Sequence, residues 1–228
     1  MKSYTKIIQG QAVLAVGLLL GRYLLAEGSY NHWAAVTTLV HERSTALAFL
    51  AWNLFLAWIP FGLSGLLPHT RHRLAGGLLL GLWLLFLPNA PYLITDFIHL
   101  RARPPVPVWV DTLLFFLFAW TGLMLGLLSL LRVHLYLRQF YQPRQAHYLI
   151  AGFILASSFG LYLGRVERWN SWDALLSPLA VLENAATLAL SPPPALLLTF
   201  LFFAVLQFTG YALLYALCFS QPKKTIVP

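Results

Sequence analysis

The chain of 228 residues holds one cysteine, Cys218, and only seven acidic residues, and charged residues of both signs make up just 10% of it. The lone cysteine excludes an internal disulfide and any cysteine-based metal cluster. A soluble domain carries about 25% charged and about 45–50% apolar residues, whereas here the apolar share is 59%. Scarce charge excludes an ordinary water-soluble globule. High hydrophobicity excludes disorder, which needs the opposite balance. Catalytic signatures are missing as well. His41-Glu42 has no second histidine at zincin spacing, Gly62-Leu63-Ser64-Gly65 is not a nucleophile elbow, and no P-loop or dinucleotide fingerprint occurs.

What is present is a series of long apolar runs. A span needs roughly 20 mostly apolar residues to cross about 30 Å of hydrocarbon. Six stretches qualify: 7–26, 45–67, 75–96, 109–131, 148–164 and 195–218. They are apolar all round, as membrane helices are, and none shows the alternation of a membrane β-strand. The expected fold is therefore all-α, a polytopic helical bundle in one transmembrane domain, 1–228. The first run has a basic start in Lys2 and Lys6 but full span length and no cleavage site after Leu25-Ala26-Glu27, so it reads as a retained span rather than a secretory signal.

Basic residues set orientation. With the N-terminus inside, Lys2, Lys6, Arg71, Arg73, Arg132, Arg138, Arg144, Lys223 and Lys224 lie on the inner side. Arg22, Arg43, Arg101, Arg103, Arg165 and Arg168 lie outside. This bias places both termini in the cytoplasm. All seven acids, Glu27, Glu42, Asp96, Asp111, Glu167, Asp173 and Glu183, then fall at outer ends or in outer loops. The basic inner face suits anionic lipid head groups. Basic residues scattered over short loops, with no recognition motif, argue against nucleic acid as a partner. The bilayer is the expected partner, with an anionic lipid or another membrane protein beside it.

The third span carries Pro88-Asn89-Ala90-Pro91. Each proline inside a helix removes a donor and clashes with the preceding turn, at about 3 kcal/mol. The helix is expected to break there, with Asn89 capping a new helix and Pro91 in its first turn. If that helix continues to Pro104, Tyr92, Asp96, His99 and Arg103 share one face. Two readings follow: a kinked helix with an interfacial polar end, or a discontinuous helix facing a polar cavity.

A second dense segment, Arg165-Val166-Glu167-Arg168-Trp169-Asn170-Ser171-Trp172-Asp173, follows the fifth span. Arg165 and Arg168 are permanent planar cations suited to carboxylate or phosphate, and Asn170 and Asp173 can end or recap the helix. The alternative is interfacial anchoring with structural ion pairs. Gly152, Ala156, Gly160 and Gly164 recur every four residues, as do Gly122 and Gly126 with Ser129 beyond, and such spacing allows close helix packing. Asp111 opens the fourth span, where a carboxylate complements the helix dipole. Asn53, deep in the second span, reads as interhelical glue. Tyr30 to Arg43 and Ser177 to Leu190, the latter with Ser177 as cap and Pro178 first, read as surface helices.

Trp52-Asn53-Leu54-Phe55-Leu56-Ala57-Trp58-Ile59-Pro60, Pro88-Asn89-Ala90-Pro91-Tyr92 with Thr95-Asp96 and His99-Leu100, Trp109 with Asp111, and Arg168-Trp169-Asn170-Ser171-Trp172-Asp173 resemble the bacterial domain-of-unknown-function 1361 family of membrane proteins, over about Ala46 to Pro178. The resemblance implies an integral membrane protein of bacterial origin and implies no activity; the expected location is the bacterial cytoplasmic (inner) membrane.

Three functions stay open. One is a non-catalytic scaffold, assembly or partner subunit whose charges are ion pairs and anchors. Another is an outer-face site for an anionic or lipid-linked cell-envelope substrate. There Asp96, His99 and Asp173 are the catalytic candidates, and Tyr92, Asp111, Arg165, Arg168 and Asn170 are the ligand-binding ones. The third is a small-solute transporter, suggested by the broken helix and opposed by the want of ionisable groups near any span's midplane. No cofactor is expected, and no metal: Asp96, His99, Asp111 and Asp173 form only a scattered, oxygen-rich set.

Overall fold

The computed structural model describes residues 2–27, 47–70, 72–103 and 106–219. The expected surface helix Tyr30 to Arg43, together with Arg71, Pro104, Lys223 and Lys224, lies outside the described residues. The helices are α1 (Lys2–Glu27), α2 (Ala48–Leu66), α3 (Arg73–Phe86), α4 (Asn89–Tyr92), α5 (Val108–Leu137), α6 (Pro143–Arg165), α7 (Asp173–Leu176), α8 (Pro178–Leu190) and α9 (Pro194–Phe219), with 3-10 turns at Leu67–His69 and Leu93–His99. The described residues contain no β-strand, only an isolated bridge between Arg103 and Val106.

Among the described residues six segments are long and apolar enough to cross a membrane: Tyr4–Leu24, Ala48–His69, Arg73–His99, Val108–Leu137, Pro143–Arg165 and Pro194–Phe219. They match the six expected runs. The largest shifts are at the end of the fourth, which reaches Leu137 rather than 131, and the start of the fifth, which begins at Pro143 rather than 148. The first extension, Arg132 to Leu137, mixes charged and aliphatic residues, and the second, Pro143 to His147, is polar helix. At the second, Pro143 occupies the first turn, and Gln142 and Gln145 form a reciprocal capping box, the Gln145 Oε1 accepting from the Gln142 N–H at 3.1 Å. Such a box satisfies otherwise orphaned N–H groups without any hydrophobic signal. Large apolar side chains such as Val13, Trp52, Phe55, Leu78, Leu198 and Phe202 stand exposed on the helices, as expected of surfaces that meet lipid rather than water.

The chain divides into two compact units. Unit 1 comprises Met1–Leu63 and Phe86–Gly126, and unit 2 comprises Ser64–Leu85 and Leu127–Pro228. In unit 1, Leu50, Leu54, Leu87, Ala90, Leu93 and Phe118 are buried, and the Phe115 ring meets those of Phe49 and Phe97 at 6.1 and 5.8 Å. In unit 2, α6 and α9 pack side by side. Ile150, Ile154, Ser157, Ser158 and Leu161 are buried on α6, and Phe203, Ala204 and Gln207 on α9.

The third span breaks where its prolines require. Helix α3 ends at Phe86, Leu87 and Pro88 turn, and α4 lasts four residues before the chain tightens into the 3-10 segment. Asn89 does not cap the new helix. Its Nδ2 donates backwards to the Phe86 carbonyl at 2.9 Å, satisfying an orphan acceptor at the end of α3. The Thr95 hydroxyl donates to the Tyr92 carbonyl at 2.6 Å, a local bond that competes with α-helical geometry. The expected face of Tyr92, Asp96, His99 and Arg103 therefore does not form. Three residues per turn replace 3.6, and Leu100 is already extended.

The broken backbone is closed by protein. A Cβ on Gly122 of α5 would lie 2.7 Å from the Ala90 carbonyl and would also strike Leu93, and one on Gly126 would lie 2.8 Å from the Ala90 Cβ. The Gly122–Gly126 stripe thus lets the break press onto α5, as its spacing suggested. At the start of the other stripe, on α6, Gly152 has open space around its Cα and Ala156 is exposed, and the buried face of α6 runs through Ile150, Ile154, Ser157 and Leu161.

Candidate functional site

The eight candidate residues divide between the two units. Tyr92, Asp96, His99 and Asp111 belong to unit 1, and Arg165, Arg168, Asn170 and Asp173 to unit 2.

In unit 1, Asp111 lies in the first turn of α5 and is fully buried. Its partner is Arg22 of α1, which is 7% exposed. The guanidinium grips the carboxylate as a fork, Nε donating to Oδ1 at 2.9 Å and Nη2 to Oδ2 at 3.1 Å. Paired geometry of this kind is the strongest form of charge-assisted bond. Arg103 stands on the other side, its Nη1 3.8 Å from Asp111 Oδ2. Its Nη2 donates to the His99 carbonyl at 2.8 Å and its Nη1 to the Arg101 carbonyl at 3.3 Å. The Val106 N–H donates to the Arg103 carbonyl at 3.2 Å. Arg103 thus ties the end of the broken span to the start of α5. Burial depresses the Arg103 pKa, the neighbouring Asp111 opposes that, and repulsion from Arg101 and Arg22 adds to it.

Asp96 is also buried, at 1% exposure. Its Oδ2 accepts a 2.8 Å bond from Asn53 Nδ2 of α2. Asn53 is therefore interhelical glue, and what it binds is one of the candidate catalytic acids. His99 is exposed, with its ring edge-on to Phe49 at 5.1 Å. Tyr92 is half-buried.

In unit 2, α6 ends at Arg165 and the chain turns through Arg168, whose φ of 63° is left-handed. Arg168 and Asn170 are exposed, and Arg165 and Asp173 are half-buried. Asp173 Oδ2 accepts from the Asn170 N–H at 2.6 Å and from its Nδ2 at 3.1 Å, which shapes the turn into α7. Glu167 accepts from Asn184 Nδ2 at 3.3 Å, and Asn184 Oδ1 accepts from Trp169 Nε1 at 3.2 Å. These bonds fasten the loop to α8. Pro178 opens α8 as its sequence suggested, but the Ser177 hydroxyl makes no capping bond, and no α8 residue is buried.

Three polar groups of unit 2 escaped the sequence reading. Gln207 of α9 is buried and accepts from Ser157 at 3.2 Å while donating to Ser158 at 3.0 Å. Trp83 Nε1 donates to Ser129 at 3.3 Å. His134 is fully buried, with Nδ1 hydrogen-bonded to the Tyr211 hydroxyl, its ring stacked on Tyr215 at 5.2 Å and its edge against His147 at 4.5 Å. Polar side chains inside an apolar span were the available signal, because such groups face protein rather than lipid. Among the described residues, no three His, Cys, Asp or Glu side chains gather as a metal site.

Neither a curated protein nor a solved structure matches the chain. A family model does match, over residues 52–209, and its description reads "Protein of unknown function (DUF1361)". The span includes Asn53, Pro88 to Asp96, Asp111 and the loop through Asp173, the residues that carried the resemblance. The chain belongs to the DUF1361 family.

Proposed function

We propose that the protein is a non-catalytic subunit of the bacterial cytoplasmic membrane: a scaffold, assembly or partner protein whose polar residues at span ends hold its own helices. One observation carries this reading. Among the described residues the two fully buried carboxylates, Asp96 and Asp111, are engaged by side chains of other helices, Asn53 and Arg22. A general base must reach a substrate proton, and a carboxylate locked in an arginine fork at 0% exposure is a poor one. Asp173 is occupied with its own loop. The excess of Lys and Arg on the side of the termini supports an orientation with both ends in the cytoplasm.

The test is complementation of a deletion strain, normalised to the amount of protein in the membrane. Asp96→Asn, His99→Ala, Arg168→Gln and Asp173→Asn variants are expected to complement in proportion to their abundance. A variant that accumulates at the wild-type level yet fails to complement contradicts the reading and favours a chemical or ligand-binding site at that residue.

A further inference from the structure

Side-chain contacts gather several helix ends of unit 2 in one place. His134, in the last turn of α5, stacks on Tyr215 near the end of α9 at 5.2 Å, and His147 near the start of α6 meets the same ring at 5.3 Å. The Tyr136 hydroxyl of α5 lies 3.4 Å from that of Thr70, just before α3. The ends of α5 and α9 and the starts of α3 and α6 therefore lie together. This end carries the exposed His72, Arg73, Arg138 and Arg144. The acids of unit 2, Glu167, Asp173 and Glu183, all follow the far end of α6, a helix of 23 residues and so roughly 35 Å long. The other four acids, Glu27, Glu42, Asp96 and Asp111, belong to unit 1. Arg71 and residues 220–228, outside the described residues, add no Asp or Glu to unit 2.

The turn from α5 to α6 stands out on this surface. Its backbone is held: the Arg138 N–H donates to the His134 carbonyl at 3.0 Å, and the Phe140 and Tyr141 N–H groups donate to the Leu137 carbonyl at 2.9 Å. Phe140, Tyr141 and Tyr148 are nevertheless exposed. Arg144 Nε donates to the Tyr148 hydroxyl at 3.0 Å, with the guanidinium 5.7 Å from the centre of that ring. Among the described residues neither Arg138 nor Arg144 has an acidic partner. Aromatic rings at span ends seat in the head-group layer, and guanidinium groups suit the phosphate oxygens of that layer. Aromatic and arginine side chains also suit a protein partner. Here, though, one span ends at Leu137 and the next begins at Pro143, so lipid head groups are the adjoining phase.

We propose that the α5–α6 turn docks on anionic phospholipid, with Arg138 and Arg144 binding lipid phosphate and Phe140 and Tyr141 seated among the head groups. This goes beyond the scaffold reading and does not rest on it, since the complementation variants above leave the turn intact.

The test is thermal unfolding of the purified full chain in neutral detergent micelles carrying a rising fraction of phosphatidylglycerol or of phosphatidylcholine. The expected result is a saturable rise in melting temperature with phosphatidylglycerol and a smaller one with phosphatidylcholine. Arg138→Gln and Arg144→Gln are each expected to raise the phosphatidylglycerol fraction that gives half the shift about fivefold, the equivalent of about 1 kcal/mol per basic side chain at an anionic surface. Arg101→Gln removes an exposed arginine of unit 1 and is expected to leave that fraction unchanged. If a glutamine variant does not fold, the lysine variant at the same position, which keeps the charge without the fork, decides by the same readout and is expected to fall between. An equal response to phosphatidylcholine overturns the proposal, as does a response undiminished in both turn variants or an equal loss in Arg101→Gln. No response to phosphatidylglycerol also overturns it and leaves the turn to a protein partner.

Discussion

Arg22 and Asp111, 89 positions apart, form a two-point ion pair at 2.9 and 3.1 Å that is almost wholly buried. It clamps α1 to the first turn of α5. In an apolar medium the pair and its neighbours specify which helix ends meet, because either partner alone is an uncompensated charge. The same logic places Asp96 on Asn53. Polar residues here sort helices, and apolar residues fill the space between them.

The Asn53–Asp96 bond is expected to be worth more than its position in an apolar span suggests. Asn53→Leu withdraws a donor from a buried carboxylate and is expected to lower stability by about 1–3 kcal/mol. Asp96→Asn keeps an acceptor for Asn53 and is expected to lower it by less. Reversible unfolding of both variants in mixed micelles measures the difference, and the reverse order contradicts this account of the bond.

Close approach of the broken segment to α5 gives a second expectation. Gly126→Ala sets a methyl group 2.8 Å from the Ala90 Cβ, and Gly122→Ala sets one 2.7 Å from the Ala90 carbonyl. Each is expected to destabilise by about 1–3 kcal/mol through overpacking. Gly152→Ala, in open space, is expected to be neutral or to stabilise by up to about 1 kcal/mol through helix propensity. Melting temperatures of the three variants, measured side by side, check the contrast.

In unit 2, Gln207 links α9 to Ser157 and Ser158 of α6. Interhelical hydrogen bonds in membranes average about 0.6 kcal/mol and reach about 1.7. Gln207→Leu is accordingly expected to reduce stability by an amount in that range. Ser157→Ala, which removes one of the two bonds, is expected to show a smaller loss. Equal stability of wild type and Gln207→Leu contradicts a structural role for this residue.

Much of this fold was legible because each span needs only a long apolar run, and the break at Pro88 needs only proline chemistry. Which helix ends meet was not legible. Arg22 bears on orientation, yet an arginine inside an apolar run also signals a buried partner, and its place in the first span is the clue. The role of Asn89 is ambiguous in sequence for a local reason: an asparagine between two helices can satisfy the carbonyls behind it as well as the N–H groups ahead, and the sequence is the same in both cases. Gly152 and Gly126 share the four-residue spacing of small residues, but spacing does not say which face of a helix meets protein. The face of α6 is set by Ser157 and Ser158 finding Gln207, a partner far away in sequence.

The most direct test of the claim that span-end charges are structural is a double-mutant cycle on Arg22 and Asp111, read as unfolding free energy. Arg22→Met and Asp111→Leu are each expected to lose about 3–5 kcal/mol, since each strands a buried charge. The double variant is expected to lose less than their sum by at least about 1 kcal/mol. Contradiction would be two single variants within about 0.5 kcal/mol of wild type, the range of surface substitutions, that nevertheless fail to restore the deletion strain.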